Sequence, residues 1–149
     1  MKKELGLLRM MVWEGFFLHG SRQKIKKPLE PRQAKDAVGK PSGCQMAVYA
    51  TKSDIRIPCI MAMFTPIDPG KASHSEYSRK TGGKMVVTGE NVTFGPGYVY
   101  VLPADTFEEM DGEFISFKPV MPILVIPVNP KILRLFPNLE IQIPVPAEW

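Results

Sequence analysis

His19, Gly20 and Ser21 close an apolar run at 16–18, and Arg22, Lys24, Lys26 and Lys27 follow at once. The chain has only two histidines, and this one stands where a buried segment gives way to positive charge. Imidazole changes protonation near neutral pH and can donate or accept a hydrogen bond. A glycine lets another group approach the backbone closely, because no side chain blocks it. The lysines and arginine could face the phosphates of a nucleotide or a nucleic acid, or form a solvated face. One further residue stands where a rigid element could aim it: Glu113 opens the alternating run at 113–118, where a strand backbone can hold a carboxylate in place. Tyr49, in the apolar run at 45–50, reads by itself as strand core.

The charge is unevenly placed. Residues 1–40 hold ten Lys/Arg and four Asp/Glu, a net +6, whereas residues 41–149 hold nine and eleven, a net −2. Between 103 and 112 lies an acidic turn with Asp105, Glu108, Glu109 and Asp111, opposite in sign to the early basic loop. These four carboxylates compete with Glu113 for any catalytic role and can equally be solvated turn charges. Cys44 and Cys59 form no CxxC pair, and the two histidines are too few to complete a structural zinc site, so both cysteines read as buried free thiols and no metal is expected.

Length and apolar content suit one domain with a genuine core, spanning 1–149, with residues 1–11 open to being a disordered extension. The opening MKKELGLLRMMVW has its apolar run broken by Arg9 and Glu14, and no small-residue cleavage site follows. The run at 119–128 is interrupted by proline and too short to span a bilayer, so no membrane association and a cytoplasmic location are expected.

Fifteen prolines, against a usual usage of about 5%, argue for short, edge-rich elements and few long helices. Strands are predicted over 12–18, 45–50, 97–102, 113–118, 123–128 and 139–145 from β-branched, aromatic and alternating residues. The stretch KMVVTGENVTF reads as a hairpin turning at 89–91. Ser53 or Asp54 caps a short helix ending near Phe64, with Ile57, Ile60, Met61 and Phe64 at helical spacing and Pro58 limiting its start. Residues 22–43 and 65–84 are predicted as loops, and Tyr98 and Tyr100, on one strand face, as packing residues. The fold class expected is α+β, a mostly antiparallel split sheet with a few short helices.

Three fragments, in order, extend the reading. FLHGSR at 17–22 resembles the His-Gly-Ser that closes the first strand of the nicotinamide pocket in ADP-ribosyltransferases. AVYAT at 47–51 looks like that family's strand ending in an aromatic residue before a short helix, and GEFISF at 112–117 is similar to the strand that begins with its catalytic glutamate. Together they resemble the His-Tyr-Glu branch, which includes the poly-ADP-ribose polymerases and small mono-ADP-ribosyltransferases. The resemblance implies NAD as co-substrate and release of nicotinamide, with ADP-ribose passed to a protein, nucleic acid or small-molecule acceptor.

It also implies roles. Glu113 is the carboxylate that meets positive charge developing on the ribose, His19 holds the adenosine ribose, and Tyr49 packs on the nicotinamide ring. Gly20 offers backbone donor and acceptor to the carboxamide, supported by Ser21, while Arg22, Lys24, Lys26 and Lys27 lie on the pyrophosphate path. One departure is visible. The stretch SDIRIPCIMAMF contains Phe64 as its single aromatic ring, so the second tyrosine of the polymerases has no counterpart there, and a mono-transferase fits better than polymer elongation. RNA 2′-phosphotransferases combine a similar early His-Gly with NAD, and an inactive relative that binds nucleic acid or protein through the basic segment is the third alternative.

Overall fold

A computed structural model describes residues 1–33 and 46–149. Cys44 and most of the second half of the basic segment lie outside the described residues. The elements run α1 (Lys2–Trp13), β1 (Phe17–Ser21), β2 (Arg32–Gln33), β3 (Met46–Ala50), α2 (Arg56–Met63), β4 (Phe64–Pro66), β5 (His74–Arg79), β6 (Met85–Glu90), β7 (Val92–Phe94), β8 (Gly97–Leu102), β9 (Glu108–Met110), β10 (Glu113–Ser116), β11 (Leu124–Val128) and β12 (Leu139–Ile141). Short 3₁₀ turns occupy Thr81–Gly83 and Pro130–Leu135. The class is α+β, strand-rich and mostly antiparallel, the parallel β12–β6 pair being the exception among the described strands.

Alternation along β8 explains why its sheet is buried on both faces. Val99 and Val101 join Leu18 and Ile126 in the core under α1 and α2, while Tyr100 and Leu102 point the other way and pack with Leu29, Val48 and Val120. β8 is therefore the centre of the sheet β1-β8-β11, with His19 directly opposite Tyr100. A second sheet, β2-β3-β10-β9, carries Tyr49 opposite Ile115 and Glu113 opposite Met110.

The two sheets meet at one bridge, where Leu18 and Thr51 exchange both backbone hydrogen bonds at 2.9 and 2.8 Å. In a regular antiparallel ladder Gly20 would next pair with Tyr49. Instead the His19 Nδ1 sits 2.6 Å from the Tyr49 carbonyl oxygen. The imidazole takes the acceptor that the Gly20 amide would have used, and the sheets part there.

α2 lies across β1 and β8 on the other side. Glycine is needed for this: a Cβ on Gly20 would come 2.0 Å from the Pro58 carbonyl oxygen, and one on Gly97 2.0 Å from the Ala62 oxygen. Pro58 is tolerated because it is the third residue of α2, where the backbone amide has no intrahelical partner.

Several expectations are corrected. Residues 2–13 form a helix rather than a disordered extension, and Leu5 and Leu8, one turn apart, are buried in the core. The strand expected from 12 begins only at Phe17, after the helix has run through Trp13. Met85–Glu90 and Val92–Phe94 do not pair as a hairpin, although Asn91 between them does turn the chain at φ 53°. β6 pairs with β5 and β12, and β7 with β4. The supposed loop at 65–84 supplies β5, six residues in register with β6. Among the described residues no helix is long and apolar enough to cross a membrane.

Candidate functional site

The gap between the parted sheets is a cleft of about 780 Å³. His19, Gly20, Tyr49 and Glu113 all line it. The His19 Nδ1, bonded to a carbonyl that can only accept, carries the proton. Burial lowers the imidazole pKa below 6.5, against the opposing effect of that bond, and the Arg32 charge lowers it further. The ring is therefore neutral at pH 7, and Nε2 is left as an acceptor.

The backbone of Gly20 follows from parity. Leu18 directs its amide and carbonyl to Thr51, away from β8, so two residues later Gly20 directs its own the same way. They face the cleft at the point where the neighbouring strand has been wedged off. A donor and an acceptor from one residue, side by side and without a ladder partner among the described residues, match the two polar atoms of a primary amide.

Glu113 is aimed by a tight turn. Met110 pairs with Glu113 across Asp111 and Gly112, whose φ of 50° and 84° are those of a two-residue type I′ hairpin. The Asp-Gly dipeptide is the sequence signal for that turn. Glu113 is exposed at the cleft wall, followed by Phe114, which packs edge-on to Phe17 at 5.1 Å and carries the Lys52 ammonium 5.6 Å from its ring centre.

β5 contributes Tyr77 and Arg79 to the cleft, two residues apart and hence on one face of the strand. Sequence reasoning missed both. Tyr77 is 36% exposed. Burial raises its pKa, the Arg79 charge opposes this, and Glu113 and Asp54 add to the rise, which puts all three charges within electrostatic reach of the phenol. Arg79 is tethered through its Nε, 3.6 Å from an Asp54 oxygen. Asp54 also holds Arg56 in a fork at 2.9 and 2.8 Å, and Arg56 in turn donates to the carbonyls of Gly83 and Asn138. Burial pushes the Asp54 carboxyl up, but the Arg56 hydrogen bonds and the two guanidinium charges outweigh it and hold the pKa below 3.8.

A smaller cavity of about 290 Å³ lies on the other side of the His19–Tyr49 contact, and both residues line it too. Ser21 faces this cavity rather than the larger cleft, its Oγ accepting from the Gln23 amide at 3.2 Å. Arg22 and Lys24 are exposed and line neither cavity; among the described residues the cations that do reach the smaller one are Lys27 and Arg32. Tyr100 is more than packing. Its buried hydroxyl accepts from the Ile25 amide and donates to the Gln23 carbonyl at 2.6 Å, which pins the start of the basic segment over the cavity. Cys59 is fully buried in α2 with its thiol pushed up to about 12 by burial, and lines neither cavity.

The chain shows no significant match to any family model, and none to a curated protein or a solved structure.

Proposed function

We propose that the chain is an NAD-dependent ADP-ribosyltransferase-like enzyme that releases nicotinamide and transfers ADP-ribose to an acceptor. One observation carries the reading: His19, Gly20, Tyr49 and Glu113, contributed by three separate strands, line a single cleft. Nothing local in the sequence requires that convergence.

The residues fit the group they would hold. Gly20 offers a carboxamide a backbone edge that is unpaired among the described residues, and Tyr49 and Tyr77 on the cleft wall supply aromatic rings for a planar group. Tyr77 comes from β5, so in this reading a different element offers the second tyrosine that 53–64 lacks. NAD supplies the glycosidic bond, whose cleavage develops positive charge on the ribose. Glu113 meets that charge from the cleft wall, an interaction worth more in the transition state than in the ground state. The neutral His19 accepts from a sugar hydroxyl through Nε2 while its Nδ1–H stays fixed on the Tyr49 carbonyl.

The test is nicotinamide release from NAD together with NAD binding. Glu113→Gln is expected to lower turnover by roughly 10²–10³-fold and to leave NAD affinity within a few fold. Wild-type protein that neither binds nor hydrolyses NAD, or a Glu113→Gln variant as fast as wild type, overturns the assignment.

A further inference from the structure

The smaller cavity has a composition of its own. Its polar lining includes the neutral His19, whose Nε2 is an acceptor, together with Lys27 and Arg32 as cations and Glu30 as the one carboxylate among the described lining residues. Arg32 forms no ion pair among the described residues and lies within electrostatic reach of the imidazole. An acceptor nitrogen and a guanidinium lining one cavity suit two different groups on one ligand: a hydroxyl that donates, and an anion carried near it. Ribose offers that pair when one of its vicinal hydroxyls is free and the other is esterified to phosphate. The apolar part of the wall, Ile25, Leu29 and Val48, leaves room for a base.

The arrangement is held from behind. Arg32 is fixed in β2 opposite Ala47 of β3, two positions from Tyr49. Leu29 is anchored by paired backbone bonds to Val120 at 2.8 and 2.9 Å, and the segment before it is fastened by the Tyr100 hydroxyl. The cations therefore stand on a strapped segment with three attachments, two of them to sheet strands and one to Val120. A planar guanidinium so placed can meet a phosphate bidentately.

We propose that this cavity is a subsite for a ribose carrying a phosphate on one of its secondary hydroxyls, with Arg32 as the residue that selects the phosphate. Joined to the dinucleotide reading above, on which this extension rests, it makes the favoured co-substrate a nicotinamide dinucleotide phosphorylated on its adenosine ribose.

Titration calorimetry with NADP, NAD, adenosine 2′-phosphate and adenosine tests this on wild type, Arg32→Met and Lys27→Met. NADP is expected to bind at least about tenfold more tightly than NAD, the size of one charge-assisted contact. Arg32→Met should bring NADP down to the NAD level while leaving NAD unchanged, and Lys27→Met should act in the same direction and less strongly. NAD binding as tightly as NADP, or Arg32→Met weakening both alike, overturns the subsite. If neither dinucleotide binds but adenosine 2′-phosphate binds better than adenosine in an Arg32-dependent way, the subsite stands and the transferase reading falls.

Discussion

Gly20→Ala is the substitution whose effect the structure specifies most closely. The new methyl would lie 2.0 Å from the Pro58 carbonyl oxygen, 2.7 Å from the Ala62 amide nitrogen and 3.0 Å from the Pro58 carbonyl carbon, where ordinary contact begins at 3.4 Å. All three are backbone atoms of α2, so no side-chain rotation relieves the overlap; helix or strand must move by more than an ångström. α2 buries Ile57, Cys59, Ile60, Ala62 and Met63, and displacing it opens gaps along that whole face. Overpacking of this kind costs about 1–3 kcal/mol, and a clash with backbone belongs at the upper end. At roughly 2–4 °C per kcal/mol for a chain of this size, the melting temperature should fall by roughly 6–12 °C. Gly6→Ala is the control: Gly6 lies mid-helix in α1 with nothing within 4 Å of an added Cβ, so alanine there should stabilise by about 0.5–1 kcal/mol. Thermal unfolding followed by circular dichroism compares the three proteins. A Gly20→Ala variant that melts with wild type would refute the close approach of α2 to β1, and with it the account of how the cleft's inner wall is set.

Stability should decline on the acid side in two windows. His19 titrates below its ordinary 6.5 in the folded chain, so the unfolded chain takes up the proton first and stability falls as pH drops below 6.5, until the folded ring also protonates. Asp54 has a folded pKa below 3.8, so its contribution is complete above that value and is lost as pH falls through the folded one. Urea unfolding across pH measures both, and His19→Asn should flatten the upper window; an unchanged slope there would contradict a buried neutral imidazole. The Cys59 thiol, fully buried and with its pKa at about 12, should resist iodoacetamide in the folded protein at neutral pH and react once urea unfolds it. Peptide mass analysis assigns the modified residue, and full native labelling at Cys59 would exclude its burial.

Much of the framework could be read from local pattern, since alternation and helical spacing record which face of an element is buried. The run at 97–102 predicts β8 in full because β8 is buried on both faces, and 113–118 and 123–128 predict β10 and β11 to within two residues. The spacing of Ile57, Ile60, Met61 and Phe64 likewise marks α2, whose first turn can hold Pro58, although Met61 is exposed and Phe64 already opens β4. His19, Tyr49 and Glu113 are candidates through the resemblance of FLHGSR, AVYAT and GEFISF to the strands of ADP-ribosyltransferases, Glu113 also because it opens an alternating strand.

What sequence pattern could not reach depended on partners distant in the chain. HSEYSR at 74–79 shows no apolar alternation because β5 is an edge strand exposed along much of its length, held by backbone bonds to β6 that leave no side-chain signature; Tyr77 and Arg79 were hidden for that reason. The turn at Asn91 looked like a hairpin, yet β5, β12 and β4 competed successfully for its two arms. The resemblance puts Arg22 and Lys24 on the pyrophosphate path, whereas the path fastened by Tyr100, Val120 and Ala47 leaves both facing solvent and brings Lys27 and Arg32 to a cavity. The cleft itself exists because the Leu18–Thr51 register puts an imidazole where the next ladder bond belonged. Residue chemistry supplied the imidazole, the glycine and the carboxylate. Long-range strand pairing, whose energy is spread over backbone groups common to every residue, decided that they would share one space.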